Sequence, residues 1–376
     1  MKSKLKKLCQ IINAAVFFGF IAAFAVTSVL LPKEEYSELE NRYLSELPEL
    51  DASGWFNGDI ASGLASYADD HFPMRSNWIS LHTSLEILEG KKRVNGVYIG
   101  DGRMMELAEP ADLDRLDRSL EDIQYLCEIA DAPVFVMIAP TAAQVYSDDI
   151  PDYENVLNQS ELIDYVYERI DGEAVTVDVL PALEEAKDDY IYYRTDHHWT
   201  PQGAYVAYTE IAKMMGVVPA GLERFDIMHA SHAFYGTLHS KTLYDGTEPD
   251  VVDFYISNDR SITLTAGEYV GSPYRTEYLQ SKDKYLCYLG PNMPIVSLSS
   301  NAFGMKLLVI KDSYANCMLP FLSEHFSSVD AIDLRYMTDP DDYIELDEYD
   351  VVLILYNADN FSADTNLDKL MLIDND

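Results

Sequence analysis

Leu307-Leu308-Val309-Ile310-Lys311-Asp312-Ser313-Tyr314-Ala315-Asn316 decides how this chain is read. The first four residues are continuously apolar, as a strand buried on both faces of a parallel sheet must be, and the polar turn that follows puts a serine where strand gives way to helix. Such a turn exposes Oγ and aims the first N–H groups of the helix, Tyr314 among them, at whatever oxygen lies above it, which is what an acyl oxyanion needs. The plainer alternative is that Ser313 or Asp312 only caps the helix.

Outward from this turn the chain alternates strand and helix. Before it come a helix from Asp114 to Ala130, a strand from Val134 to Ile138 ending at Ala139-Pro140, a helix from Glu161 to Ile170, and a strand from Ala174 to Val177. A helix from Pro181 to Lys187 follows, and another opened by Thr200 and Pro201 and closed at Met215-Gly216. An irregular, β-rich stretch over 218–300 interrupts the pattern, which resumes with strand Lys306 to Ile310, helix Tyr314 to His325, and strands Val329 to Leu334 and Asp350 to Tyr356. The fold class expected is α/β: a parallel sheet flanked by helices and carrying one large insertion.

The residues ahead of this region are organised differently. Ile11 to Leu31 is an apolar run whose polar members are Asn13, Thr27 and Ser28, preceded by Lys2, Lys4, Lys6 and Lys7. At ~1.5 Å per residue it spans a bilayer, and the lysines put its amino end in the cytoplasm and the remainder outside. Ala23-Phe24-Ala25 has the look of a signal-peptide cleavage site, but the apolar run continues past it, so a retained anchor is expected; a buried core helix would need a polar face that the run lacks. Residues 33–53 are acid-rich and read as a stalk, Trp55 to Leu88 as a helical hairpin whose second helix starts at Pro73, and Val97-Tyr98-Ile99 with Met104-Met105 as a β-hairpin around Gly100-Asp101-Gly102. The chain thus divides into 1–32, a cytoplasmic stub and signal anchor; 33–110, stalk and hairpins; and 111–376, the domain expected to carry chemistry.

The full chain of 376 residues has 27 basic and 64 acidic residues, a net charge of −37 that speaks against nucleic acid as a partner. The four cysteines, Cys9, Cys127, Cys287 and Cys317, have no zinc-site spacing; the apolar neighbours of Cys127 and Cys287 favour buried, inert thiols, with a disulfide among the three exported ones as the alternative.

A second reactive segment is Arg194-Thr195-Asp196-His197-His198-Trp199-Thr200-Pro201. In an extended backbone residues i and i+2 share a side, so Asp196 can hold the Nδ1–H of His198 while Nε2 faces a reacting group. Asp196, His197 and His198 are alternatively two or three ligands of a metal, but His229, His232 and His239 are scattered and offer no second cluster, so no metal or other cofactor is expected. Asn357 and Asn301, one after and one before a strand, are candidate amide donors to an oxyanion or turn residues, and Arg194 is a candidate for a sugar carboxylate. Ala233-Phe234-Tyr235-Gly236-Thr237-Leu238 is an aromatic loop that packs in a core or stacks on a sugar.

Thr195-Asp196-His197-His198-Trp199 with Thr200-Pro201-Gln202-Gly203-Ala204 resembles the signature of the bacterial DHHW protein family. The likeness extends to Lys311–Asn316, Ile332-Asp333-Leu334-Arg335-Tyr336, Asn41-Arg42 and Asp70-His71-Phe72-Pro73-Met74-Arg75. That family is similar in turn to the SGNH-like O-acetyltransferases of alginate and other exported polysaccharides. The resemblance implies an SGNH-hydrolase-like sheet, Ser313 as nucleophile, His198 as general base and Asp196 as its orienting carboxylate, with Lys-Asp-Ser here where SGNH hydrolases have Gly-Asp-Ser. It also implies a membrane-anchored, extracytoplasmic O-acyltransferase whose partners are an exported or cell-surface glycan and a multi-pass membrane acyltransferase supplying the acyl group. An esterase with the same triad, or a non-catalytic glycan-binding or assembly module, are the alternatives.

Overall fold

The computed structural model describes residues 2–49, 52–151 and 155–373; residue 1 of the expected stub, 50–51 of the expected stalk, and 152–154 and 374–376 of the third segment lie outside the described residues. The chain forms two compact units, Met1–Lys91 with Thr242–Asp245, and Lys92–Lys241 with Gly246–Asp376. The first opens with helix α1 (Lys2–Leu30), in which Lys6–Ser28 is long and apolar enough to cross a membrane. Where a stalk is expected, two short strands, β1 (Tyr36–Ser37) and β2 (Arg42–Tyr43), pair antiparallel. Helices α2 (Ala52–Asn57), α3 (Asp59–Asp70) and α4 (Arg75–Leu88) follow, the last starting two residues after Pro73 because Met74 takes a left-handed φ of 60°.

The resemblance segments of this unit meet in one network. Asp70 accepts from Arg42 Nη1 at 3.1 Å and from Ser45 N and Oγ at 2.8 Å each, while Arg75 pairs with Glu40. The Arg42 guanidinium and the Ser45 donors hold the Asp70 carboxyl well below the usual carboxylate range, outweighing its burial.

The second unit begins with a ribbon of β3 (Arg93–Val94), β4 (Val97–Ile99) and β5 (Met104–Glu106). The division at Lys91/Lys92 therefore groups the expected β-hairpin with the larger unit and not with the helical hairpin. Then come α5 (Leu113–Ile129), capped by Asp112 accepting from Asp114 N and Arg115 N; β6 (Val134–Ala139); α6 (Ala142–Val145); α7 (Gln159–Arg169); β7 (Val175–Thr176); α8 (Leu180–Glu185); and α9 (Pro201–Met214). The stretch expected to be an insertion holds β8 (Phe225–Phe234), α10 (Thr237–Thr242), β9 (Asp250–Ser257), β10 (Thr263–Ala266), β11 (Tyr269–Gly271) and β12 (Ile295–Ser299). The last part contains β13 (Lys306–Lys311), α11 (Leu319–Leu322), β14 (Ser328–Ile332), β15 (Val351–Asn357) and α12 (Ala358–Ala363).

Eight strands make the main sheet, in the order β11-β10-β12-β14-β13-β15-β6-β7. The five from β14 to β7 are parallel, and the three contributed by the insertion are antiparallel extensions. The sheet is thus mixed: the insertion is in part an edge of the sheet, and its β8–β9 ribbon stands apart from it. In the central strands Leu307, Val309, Leu353 and Leu355 face one apolar layer and Leu308, Ile310, Val352 and Ile354 the other, all nearly inaccessible to water. The expected helix from Tyr314 to His325 is broken into a 3-10 turn, Ser313–Cys317, and α11, where Pro320 supplies no N–H. All four cysteines are free thiols, and burial pushes Cys317 up to about 12.

Asp250 holds the histidine segment in place. Fully buried at the start of β9, its carboxyl accepts from Tyr190 Oη (2.5 Å), Arg194 N (2.6 Å), Thr195 N (2.8 Å) and Thr195 Oγ1 (2.5 Å). Asp250→Ala orphans these donors at roughly 1–3 kcal/mol for each one left buried, so a loss of at least about 3 kcal/mol is expected. Urea unfolding of the purified chain measures it, and an unchanged midpoint would show that the clamp is dispensable.

Candidate active site

The carboxyl end of β13 delivers Lys311-Asp312-Ser313 into a sharp turn. Asp312 Oδ1 accepts from Tyr314 N at 2.8 Å, so the capping role belongs to Asp312 and leaves the Ser313 hydroxyl free of it. Asp312 Oδ2 accepts from Asn357 N (3.0 Å), Asn357 Nδ2 (2.5 Å) and Asn360 Nδ2 (2.9 Å), tying the serine turn to the end of β15 and the start of α12.

The two ends of the histidine segment lie side by side, between α8 and α9: Tyr192 bridges to Trp199, and Thr200 N donates to Ile191 O at 2.9 Å. At its tip Asp196 Oδ1 lies 2.6 Å from His198 Nδ1 and accepts from His198 N at 3.1 Å. Asp196 Oδ2 accepts from Thr237 N (2.8 Å) and Thr237 Oγ1 (3.0 Å). Gly236 permits this approach, since a Cβ there would sit 2.3 Å from the Asp196 side chain. On its other side His198 Nε2 is 2.8 Å from Ser313 Oγ. His197 points away from the serine and toward Thr237 Oγ1, 2.6 Å from its Nδ1.

Burial pushes His198 down to about 4, helped by His197 and opposed by Asp196. At neutral pH the imidazole is therefore uncharged, with Nδ1–H on Asp196 and the Nε2 lone pair toward the serine hydroxyl. Burial alone would raise Asp196; the two histidines and Thr237 reverse this and keep it ionised. The Tyr285 ring stacks on His198, centroids 3.6 Å apart and 6° from parallel, and its hydroxyl donates to Ser313 O at 2.9 Å. A hydroxyl, an imidazole and a carboxylate thus stand in hydrogen-bonded sequence, an arrangement able to activate a hydroxyl for attack on a carbonyl.

The other sequence candidates fall on both sides of the line. Asn357 lines the adjoining cleft, but its amide is engaged by Asp312 and by Asn360 N at 3.0 Å. Tyr314 is no free donor: its N–H is given to Asp312, and its hydroxyl donates to His197 O at 2.5 Å. Asn301 precedes the opposite end of β13 and accepts from Ser261 N at 3.2 Å, so it is remote from the serine. Arg194 lies over the Tyr190 ring at 4.5 Å and is not among the residues lining the cleft. Ser313 N–H makes no hydrogen bond to another described residue and is the donor that the turn leaves open.

Asp196, His197 and His198 have ligand atoms within 4.8 Å of one another, close enough for an ion. Both ring nitrogens of His198 and both oxygens of Asp196 already have partners, so a metal there would first have to dismantle the serine contact or the Thr237 clamp.

Sequence reasoning missed Thr237, Tyr285 and Asn360. Gly236-Thr237 belongs to the segment read as an aromatic loop, and the presence of a glycine beside a hydroxyl was the available signal. Tyr285 sits among other tyrosines in the irregular stretch and carried none.

A model of the DHHW protein family matches residues 120–332, more than half of the chain. A solved DHHW family protein from Eubacterium siraeum is 25% identical, with a TM-score of 0.62 over 75% of this chain and 97% of that one. The structure of Bacillus cereus PatB1, at 20% identity and a TM-score of 0.62 over 71% of this chain and 97% of that one, shares the fold. The probable alginate O-acetylase AlgJ of Pseudomonas aeruginosa is 24% identical over 209 residues, 52% of this chain and 51% of its own length. The chain spans about half the length of the curated relatives it matches. Matched by the family's model over more than half of its length, the chain belongs to the DHHW protein family.

Proposed function

We propose that this protein is a membrane-anchored, extracytoplasmic O-acyltransferase that acetylates a cell-surface or exported glycan through Ser313, His198 and Asp196. The observation that carries the reading is the continuous pair of contacts from Ser313 Oγ to His198 Nε2 (2.8 Å) and from His198 Nδ1 to Asp196 (2.6 Å). A serine at the carboxyl end of a central parallel strand, the family membership and the likeness to probable alginate O-acetylases support it, as they support an SGNH-like reading of the sheet.

Ser313 Oγ attacks the donor's carbonyl carbon while its proton passes to His198 Nε2; the donor's oxygen departs with that proton, leaving an acyl-serine. A sugar hydroxyl then gives its proton to His198 and attacks the acyl carbon, and Ser313 leaves and recovers the proton. Ser313 N–H, at the open start of the 3-10 turn, faces the oxyanion formed in each half. Asp196 keeps the imidazole in the required tautomer and stabilises its charge when it forms. A multi-pass membrane acyltransferase fits the role of acyl donor on the outer face, and α1 the role of anchor. Hydrolysis is the same chemistry with water as acceptor, so acceptor dependence separates transferase from esterase. A non-catalytic module would have no need for the three groups at these distances.

With a chromogenic acetyl ester, Ser313→Ala and His198→Ala are expected to lose turnover by several orders of magnitude, and Asp196→Asn roughly 10⁴-fold while staying folded. If Ser313→Ala keeps its turnover, the nucleophile lies elsewhere; an unaffected Asp196→Asn would reduce the triad to a dyad, and a loss on chelation would favour the metal arrangement.

Because His198 is depressed to about 4, its base form persists at neutral and mildly acidic pH, and kcat/KM should fall only as pH drops through about 4. A pH profile with its acid limb near 6.5 would contradict a buried, neutral imidazole.

Protease added to intact cells should cleave the region after α1. Protection in cells, with digestion in inverted vesicles, would reverse the orientation and remove an exported glycan as substrate.

A further inference from the structure

The cleft of about 360 Å³ beside the catalytic groups is walled by the exposed side of His197, by Asn357 and Asn360, and by three residues outside the mechanism: Glu106, Lys241 and Asp359. Asp359 lies in the first turn of α12, where its carboxyl is held by Thr141 and by Gln159 Nε2 at 2.8 Å. Gln159 is itself buried and fixed, accepting from Thr141 N at 2.8 Å and donating to Thr141 Oγ1 at 2.7 Å. Lys241 is the one Lys or Arg among the described lining residues, and its ammonium is paired with Glu106. The cleft therefore has fixed polar groups on its wall and no uncommitted Lys or Arg.

Resting on the acyltransfer reading above, we propose that this cleft is the acceptor subsite and that it takes a sugar unit carrying no carboxylate, set against Asp359 and Asn360 with the hydroxyl to be acylated at Ser313. A uronate entering here would bring its charge beside Glu106, which already engages the one ammonium of the cleft, and beside Asp359, whose own ionisation it would oppose, and it would find no guanidinium or free ammonium to pair with. Arg194, the guanidinium best placed in the sequence to receive a carboxylate, is turned onto the Tyr190 ring instead. Burial and the neighbouring Glu106 push Asp359 up to about 7, so the cleft already resists holding its own second negative charge, while the carboxyl can donate to one sugar hydroxyl and accept from another. The net charge of −37 also disfavours the approach of a polyanion. A neutral hexose or hexosamine unit meets these conditions; a polyuronate does not.

The test compares two oligomers of the same linkage that differ in the C6 group, β-1,4-mannohexaose and β-1,4-hexamannuronate. Calorimetric binding to full-length Ser313→Ala protein in detergent, at neutral pH and near-physiological salt, should favour mannohexaose at least ten-fold. With the active chain and a chromogenic acetyl ester, acetyl groups found on sugar by mass spectrometry should follow the same order. Glu106→Gln with Asp359→Asn should narrow the ratio at least three-fold by admitting the uronate. Equal or tighter binding of hexamannuronate, binding of neither oligomer, or a ratio unmoved by the double substitution would overturn the proposal. Those results leave the acyltransfer reading standing as long as ester turnover depends on Ser313; loss of that dependence strikes the acyltransfer reading instead.

Discussion

Peptide N–H groups withdrawn from water must find acceptors, and around Ser313 and His198 the acceptors are three buried aspartates. Asp250 takes the N–H groups of Arg194 and Thr195, Asp196 those of His198 and Thr237, and Asp312 those of Tyr314 and Asn357. Each carboxylate joins segments distant in sequence: β9 to the histidine segment, the histidine segment to α10, and β13 to the end of β15. The 2.8 Å approach of His198 to Ser313, 115 residues apart, depends on this stitching.

The same burial sets the chemistry. Removing an imidazole from water disfavours its charged form, and a carboxylate alone would restore it. At His198 the balance falls on the neutral side because His197 adds to desolvation, whereas Asp196 stays ionised because His197 and His198, with the Thr237 N–H behind them, outweigh its burial. A neutral base beside a neutral hydroxyl is the resting state that proton transfer needs. The Tyr285 ring keeps one face of the imidazole dry while its hydroxyl holds the Ser313 carbonyl, so packing and alignment come from one side chain.

What the sequence made legible was what is periodic or local. Strands β6, β13 and β15 are continuous apolar runs, and the spacing of two brings Asp196 and His198 within reach, although residues 194–198 form a bend in which His198 N donates to Asp196 and not the extended segment expected. The antiparallel edge was not legible, because β10, β11 and β12 are short and separated by turns, and nothing local distinguishes a strand that joins a sheet from one that stands apart as β8 and β9 do. The helix expected after Ser313 failed for a local reason that was visible, Pro320 within it. Thr237 and Asn360 are of another kind: their importance comes from what they touch, and a threonine or an asparagine in a first helical turn looks the same whether or not a carboxylate lies beside it.

Lys311 departs from the glycine that the resemblance leads one to expect before Asp-Ser, and its surroundings explain how a lysine is tolerated. The side chain is buried, and burial lowers it to about 8 against the pull of Asp333, 3.9 Å away. Its ammonium donates to Asn316 Oδ1 at 2.8 Å, within the 3-10 turn that carries Ser313. The position thus exchanges the backbone freedom of glycine for a tether between the strand end and the turn. A tether of that kind suits a turn that is not continued by a long helix: the 3-10 segment supplies few intrahelical bonds of its own, and Lys311 on one side with Asp312 on the other supply the restraint that a regular helix would have provided.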